Sequence, residues 1–374
     1  MKVIFTIDSL AQGGTEQSIA ELIPHLRKDM HIIVVYFYNA HHLKSQYEAL
    51  TCELIFLNIH EKYGFHDAIR KFNQLVSKER PDVVVSSLYR SLIISRIVCW
   101  WTNTPLVDTF VNERYSAERM YRFKSTSIIK YYLTWLLDWM TAFIPQKFIS
   151  NSYSISVLNG YTLGIGSKKV KVIYRGRDIR NYPEWNIPAL QDKFIWLAVG
   201  RLIPQKGYDN LIDAFQLLKA QYPNIQLRII GDGPLREVLD VQIRRLNLAE
   251  DIILEGNKPM GWKHLYYAHA FVLPSLSEGF SGALVEACIA GIPIVASDIP
   301  MNLEAISPGK NAFFFKNGYA LDLFSTMDSL MKNYDAACER GKIVRLRAID
   351  NYDIRHIADT YAQTLEKVVY GKKD

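Results

Sequence analysis

Short apolar runs alternate with helix-patterned stretches along the whole of this chain, and that alternation constrains the fold more than any other feature. In the first half, Val3–Ile7, Ile32–Phe37, Val83–Ser86, Pro105–Phe110 and Lys147–Ser150 read as strands, several of them apolar without interruption. Between them Thr15–Leu26, Ala68–Lys78 and Ser152–Asn159 read as helices. Strands that are apolar throughout are buried on both faces, and strands separated by helices belong to a parallel sheet covered on both sides. The second half repeats the pattern, with strands at Phe194–Val199, Ile225–Ile230, Ile252–Leu254, Phe271–Pro274, Pro293–Ala296 and Ala312–Phe315. Helices are expected there at Gly207–Gln221, Pro234–Leu246, Trp262–Ala268 and Gly282–Ala290.

The chain has 374 residues, and a single core rarely grows past about 250–300. Two α/β domains with doubly wound sheets are therefore predicted, one over 1–182 and one over 190–355. The stretch Asp178–Asp192, with Pro183, Pro188 and little apolar periodicity, reads as the linker. With 49% hydrophobic and 22% charged residues, the composition excludes a disordered, collagen-like or coiled-coil chain. Cys52, Cys99, Cys288 and Cys338 are scattered with no C-x-x-C pair, which fits a reducing cytosol and neither a zinc site nor a disulfide framework. No secretory signal is read at the start, and the apolar stretch Ile128–Ile144 is interrupted by Lys130 and Asp138. The expectation is a soluble or peripheral protein. Residues 1–190 hold 23 Lys+Arg against 16 Asp+Glu, and residues 191–374 hold 21 against 22. The basic excess thus lies in the first half, where it serves either an anionic partner or an ordinary solvated face. No nucleic-acid motif accompanies it, and nucleic acid is not an expected partner.

Ligands of doubly wound sheets bind beyond the carboxyl ends of the strands. Three loops there carry candidate chemistry. In Asp8–Glu16, Gly13 and Gly14 permit close approach of a ligand to a helix start; a tight turn is the plainer reading, and no G-x-G-x-x-G fingerprint is present. In Val199–Asn210, Arg201 and Lys206 sit between strand and helix, as a diphosphate clamp or as surface cations. In Pro274–Cys288, Glu278 follows a strand, Ser281 and Gly282 begin a helix, and Glu286 stands among Ala283, Leu284, Val285 and Ala287. A carboxylate on so apolar a helix needs hydrogen-bond partners, which two ribose hydroxyls would supply; a solvated position is the alternative.

Glu278-x7-Glu286, with GRLIPQKG, IIGDGP (Ile229–Pro234) and EACIAGIPIVAS (Glu286–Ser297), resembles the retaining glycosyltransferases of family 4, which have the GT-B fold of two Rossmann-like domains flanking a cleft. The first half contributes less to the likeness: the GGTE turn and KVKVIYRGRDI (Lys169–Ile179). The resemblance implies a nucleotide-sugar donor, UDP-sugar being the commonest, and no metal or other cofactor. By position, Glu286 matches the ribose-binding glutamate, Glu278 the one beside the transferred sugar, and Arg201 with Lys206 the pair on the diphosphate. Phe280, Ser281 and Gly282 match the loop on sugar and phosphate, Gly256 to Met260, including Pro259, the base site, and Gly13 and Gly14 the turn over the phosphates. A last helix, within 356–374, is expected to cross back to the first domain.

One departure stands out. Family members often carry a histidine near the sugar after the strand matching Pro105–Phe110, and here Asp108, Asn112 and Glu113 are the nearest polar groups. Glu113 is the choice among them, with a pairing to Arg114 or Arg119 as the alternative. Residues 114–148 combine Arg114, Arg119, Arg122, Lys124 and Lys130 with Tyr121, Tyr131, Trp135 and Trp139. They read either as an interfacial membrane contact suited to a glycan or lipid-linked acceptor, or as a core helix. Arg175 and Arg177 would meet an acceptor phosphate or brace the domains. The expected activity is sugar transfer in bacterial polysaccharide or lipopolysaccharide assembly, cytoplasmic or peripheral on the inner membrane face. A nucleotide-sugar-binding subunit without catalysis is the alternative.

Overall fold

The structure, a computed structural model, describes residues 1–60, 64–115, 128–188, 193–306 and 312–371. The chain divides into two compact units, Met1–Arg177 with Asp353–Asp374, and Asp178–Tyr352. The first holds strands β1 (Lys2–Ile7), β2 (His31–Tyr38), β3 (Glu53–Ile59), β4 (Val83–Ser86), β5 (Leu106–Phe110), β6 (Lys147–Ser150) and β7 (Val170–Val172). Among the described residues these form one parallel sheet in the order β3-β2-β1-β4-β5-β6-β7.

The alternation of strand side chains decides which residues meet which helices. Val3, Phe5 and Ile7 of β1 join Val34 and Tyr36 of β2 in a core closed by the Gly14–Leu22 and Ile354–Tyr370 helices. Ile4, Ile33, Val35 and Val84, one register step away, face the opposite core with the Phe65–Glu79 and Tyr89–Thr102 helices. The last helix thus belongs to the first unit, placing Ile354, Ile357, Ala358 and Leu365 under β1.

The second unit repeats the scheme with β8 (Phe194–Val199), β9 (Ile225–Ile230), β10 (Ile252–Gly256), β11 (Ala270–Leu273), β12 (Ile294–Ser297) and β13 (Phe313–Phe315). Its order is β10-β9-β8-β11-β12-β13, again parallel. Both sheets therefore reverse direction of winding at their first strand, between β1 and β4 and between β8 and β11, where a crevice opens at the carboxyl ends. The stretch read as a linker is not free chain. Tyr182 and Trp185 are buried in the second unit, where the Trp185 amide donates to Ala290 O (2.9 Å) and its indole to Ala268 O (3.0 Å). Residues 189–192 of that stretch lie outside the described residues.

Candidate active site

The second unit's switch point is built by three loops locked to one another through their backbones. Leu202, fully buried after β8, donates its amide to Asp232 O (3.0 Å) and accepts from Leu235 N (3.0 Å). Gly231 has positive φ (140°), and a Cβ there would overlap the carbonyl of Gly200. That close approach is the physical reason for IIGDGP: its glycines let the loop after β9 clamp the loop that carries Arg201 and Lys206. On the other side the Leu276 amide donates to Gln205 O (2.8 Å). Gly207, at φ 63°, abuts the Pro274 carbonyl so closely that no side chain fits.

This stacking brings Lys206 and Glu278 into direct contact as an ion pair, their side chains 16% and 11% exposed. The Ser275 hydroxyl donates to the same Glu278 oxygen (2.7 Å). Ser275 is itself fixed, its carbonyl accepting from Ser297 Oγ (2.6 Å), while Asn302 Nδ2 donates to that Oγ (3.0 Å). All three supporting residues are fully buried. Tyr208 lies beneath the pair; burial, then the nearby Glu278 charge, pushes its phenol well above the ordinary range. Arg201 is exposed on the same loop, and its guanidinium has no hydrogen bond or ion pair among the described residues.

Ser281 caps the helix Gly282–Ala290 by accepting from Leu284 N (3.4 Å). The amides of Gly282 and Ala283 point out of the helix start with no acceptor among the described residues, an arrangement that favours an anion. Glu286 is half-buried one turn further on, on the face of Gly282. The Phe280 ring is buried edge-on against Tyr352, 5.8 Å between centroids, so only the backbone of Phe280 is available to a ligand. Gly256, at the end of β10, accepts from Gly231 N (2.9 Å), and Pro259 is exposed in the loop that follows. Arg201, Lys206, Glu278, Ser281, Gly282 and Glu286 thus cluster on loops and a helix start at the carboxyl ends of β8 and β11.

Gly13 and Gly14 lie in the first unit, and their neighbours are the protein's own charges. The Glu16 carboxylate folds back over Gly13, and the Arg175 guanidinium would stand 2.8 Å from a Cβ on Gly14. Arg177 pairs instead with Glu21 (2.7 Å). A cavity of about 80 Å³ lies beside them, walled by Ile19, Phe110, Ile149, Ile357 and Arg175.

Of the residues expected to stand in for the missing histidine, Asp108 is withdrawn. It is fully buried in β5, bonded to Ser86 Oγ and to Arg96 Nε (2.7 Å). The Asn112 carbonyl accepts from Asn159 (3.0 Å), and Glu113 is half-buried after β5. Arg114 is committed to Asp138 (3.1 Å) and to Thr109 O (3.1 Å), while Arg119 lies outside the described residues. Ser275, Ser297 and Asn302 were not singled out from the sequence. Two of them lie inside quoted motifs, and a buried hydroxyl beside Glu278 was the available signal.

Two family models match the chain: one described as Glycosyltransferase Family 4 over residues 12–181, and one described as Glycosyl transferases group 1 over 184–346. The N-acetylgalactosamine-N,N'-diacetylbacillosaminyl-diphospho-undecaprenol 4-alpha-N-acetylgalactosaminyltransferase of Campylobacter jejuni is 29% identical over 307 residues, 78% of this chain and 79% of that protein. An uncharacterized glycosyltransferase of Methanocaldococcus jannaschii is 36% identical over 108 residues, spanning 29% of this chain and 27% of its own length. Among solved structures, Anabaena HepE in complex with UDP and glucose superposes with a TM-score of 0.80 at 20% identity, over 98% of this chain and 100% of that one. The two Rossmann-type sheets give the fold as GT-B, and the two family matches make the chain a glycosyltransferase. The chain belongs to glycosyltransferase family 4, as the sequence motifs implied.

Proposed function

We propose that this enzyme moves a sugar from a nucleotide donor, UDP-sugar in the first instance, to a glycan or lipid-linked acceptor of bacterial cell-surface polysaccharide, retaining the anomeric configuration. The observation that carries the reading is the Lys206–Glu278 pair, held by Ser275 at the carboxyl ends of β8 and β11. Lys206 and Arg201 stabilise charge that develops on the departing diphosphate, so that no metal is needed for that task. Glu278 holds the sugar, Glu286 the ribose, and the Gly282 and Ala283 amides a phosphate. Gly256 and Pro259 flank the base. Among the described residues no helix is long and apolar enough to cross a membrane. We place the enzyme in the cytoplasm, bound peripherally to the inner membrane face where a lipid-linked acceptor would lie.

Transfer from UDP-, GDP- and ADP-sugars to glycan and lipid-linked acceptors, measured for the parent and for Lys206→Ala, tests this reading. The expected result is transfer from one nucleotide series, lowered about a hundred- to a thousand-fold in the variant, the usual effect of removing one preorganised charge donor. Equal transfer by both proteins would sink the assignment of Lys206.

A further inference from the structure

The helix Ile128–Thr141 is built inside out. A surface helix normally buries an apolar stripe and exposes its charges; here Asp138 is the buried residue. Its carboxylate pairs with Arg96 (2.8 Å), which is fully buried, and with Arg114 (3.1 Å), and accepts from the Tyr115 hydroxyl (2.8 Å). The apolar side chains point away. Ile129 is 72% exposed, Leu133 61% and Phe143, just past the helix end, 66%, with Trp139 and Met140 about half exposed.

The neighbouring helices extend this face. Arg96 also donates to Thr141 Oγ1 (2.8 Å), so the exposed Trp100 and Trp101 stand one turn beyond that contact on the adjacent helix. On the other flank the Trp135 indole donates to Thr162 O (3.1 Å). Beside it Tyr153, Val157 and Tyr161 are exposed at helical spacing, Tyr161 at 91%. Contiguous apolar surface of this kind marks an interaction site in a protein that stays in solution otherwise.

Charge chooses the occupant. From 128 to 171 the sequence has five lysines and one carboxylate, and that carboxylate is the buried Asp138. Lys168 and Lys171 are exposed, and the Lys169 ammonium donates to the carbonyls of Phe143 (3.2 Å) and Pro145 (3.3 Å) at the end of the apolar helix. Exposed Trp and Tyr with a lysine rim and, among the described residues from 128 to 171, no exposed carboxylate match the headgroup layer of an anionic bilayer, where rings settle at the boundary and ammoniums meet phosphates. A protein partner would not require the one-signed rim.

We propose that this outward face seats the enzyme on a membrane surface rich in anionic phospholipid. The proposal rests on the peripheral-membrane part of the reading above and names the surface and the lipid class. Co-sedimentation of the full chain is measured with vesicles of phosphatidylglycerol and phosphatidylethanolamine, and with vesicles of phosphatidylcholine alone. One variant carries Ile129→Gln, Leu133→Gln and Met140→Gln; another carries Lys168→Gln and Lys171→Gln. All these side chains are exposed, so the melting temperature of each variant should match the parent. The expected result is binding to anionic vesicles, weakened at least about tenfold in both variants, with the lysine effect erased by high salt. Parental binding retained by the apolar variant would overturn the assignment of this face while leaving peripheral binding intact. Failure of the parent to bind any vesicle would overturn both. A parent that is dimeric in solution and becomes monomeric in the apolar variant would show instead that the face is covered by a second copy of the chain.

Discussion

Lys206 and Glu278 make the smallest unit of the site, and each explains the placement of the other. A carboxylate 11% exposed is stable beside an ammonium and a hydroxyl, and both donors converge on one of its oxygens. Ser275 touches the acid through its hydroxyl and should act as a positioning residue. Ser275→Ala is expected to lower transfer about tenfold, the worth of one hydrogen bond to a charged group, with a larger effect on kcat than on KM. Steady-state kinetics on the variant read this directly; unchanged kcat would remove Ser275 from the site. At this scale Arg201, Lys206 and Glu278 were conspicuous in the sequence as charged residues in loops after apolar strands, and Glu286 as a lone carboxylate on an apolar helix. It was less so for Phe280, whose ring is core, and for Asp108, whose carboxylate meets a buried arginine twelve residues away that periodicity does not reveal.

The elements differ in how much of themselves they show in sequence. Strands buried on both faces, such as Val83–Ser86 and Phe194–Val199, were readable because nothing polar interrupts them. The edge strand Glu53–Ile59 went unread, its residues being only half-buried. So did the helix Tyr89–Thr102, which is buried nearly all round and rich in β-branched residues, leaving no stripe to detect. The Ile128–Thr141 helix was ambiguous between core and interface for the opposite reason: its single inward charge is visible only once Arg96 and Arg114 are in place. Burial favours the neutral form of Asp138, but Arg114 and Arg96 outweigh it and hold the carboxyl below its ordinary range. The sign follows from linkage. The stabilisation is complete above the unfolded carboxyl value and is lost as pH falls through the depressed folded one. Asp138→Asn should therefore destabilise the protein by about 3–5 kcal/mol at neutral pH, and by less in acid. Urea unfolding of parent and variant at both pH values checks this, and a deficit that grows in acid would contradict it.

In the whole molecule, two sheets of the same winding order follow from the alternating grammar of the two halves. The return of Ile354–Tyr370 to the first sheet does not: its apolar stripe could cover either core, and only contacts with Val3 and Phe5 decide. The donor assignment makes the second unit the nucleotide site, with Glu286 on the ribose. Its most direct test is thermal melting of the parent and of Glu286→Ala with UDP, GDP and ADP and their sugar conjugates, since a ligand of the folded state must raise apparent stability. The expected result is a shift with one nucleotide series that is lost in the variant. A shift that the variant keeps in full, or none with any nucleotide, would contradict a donor site at Glu286.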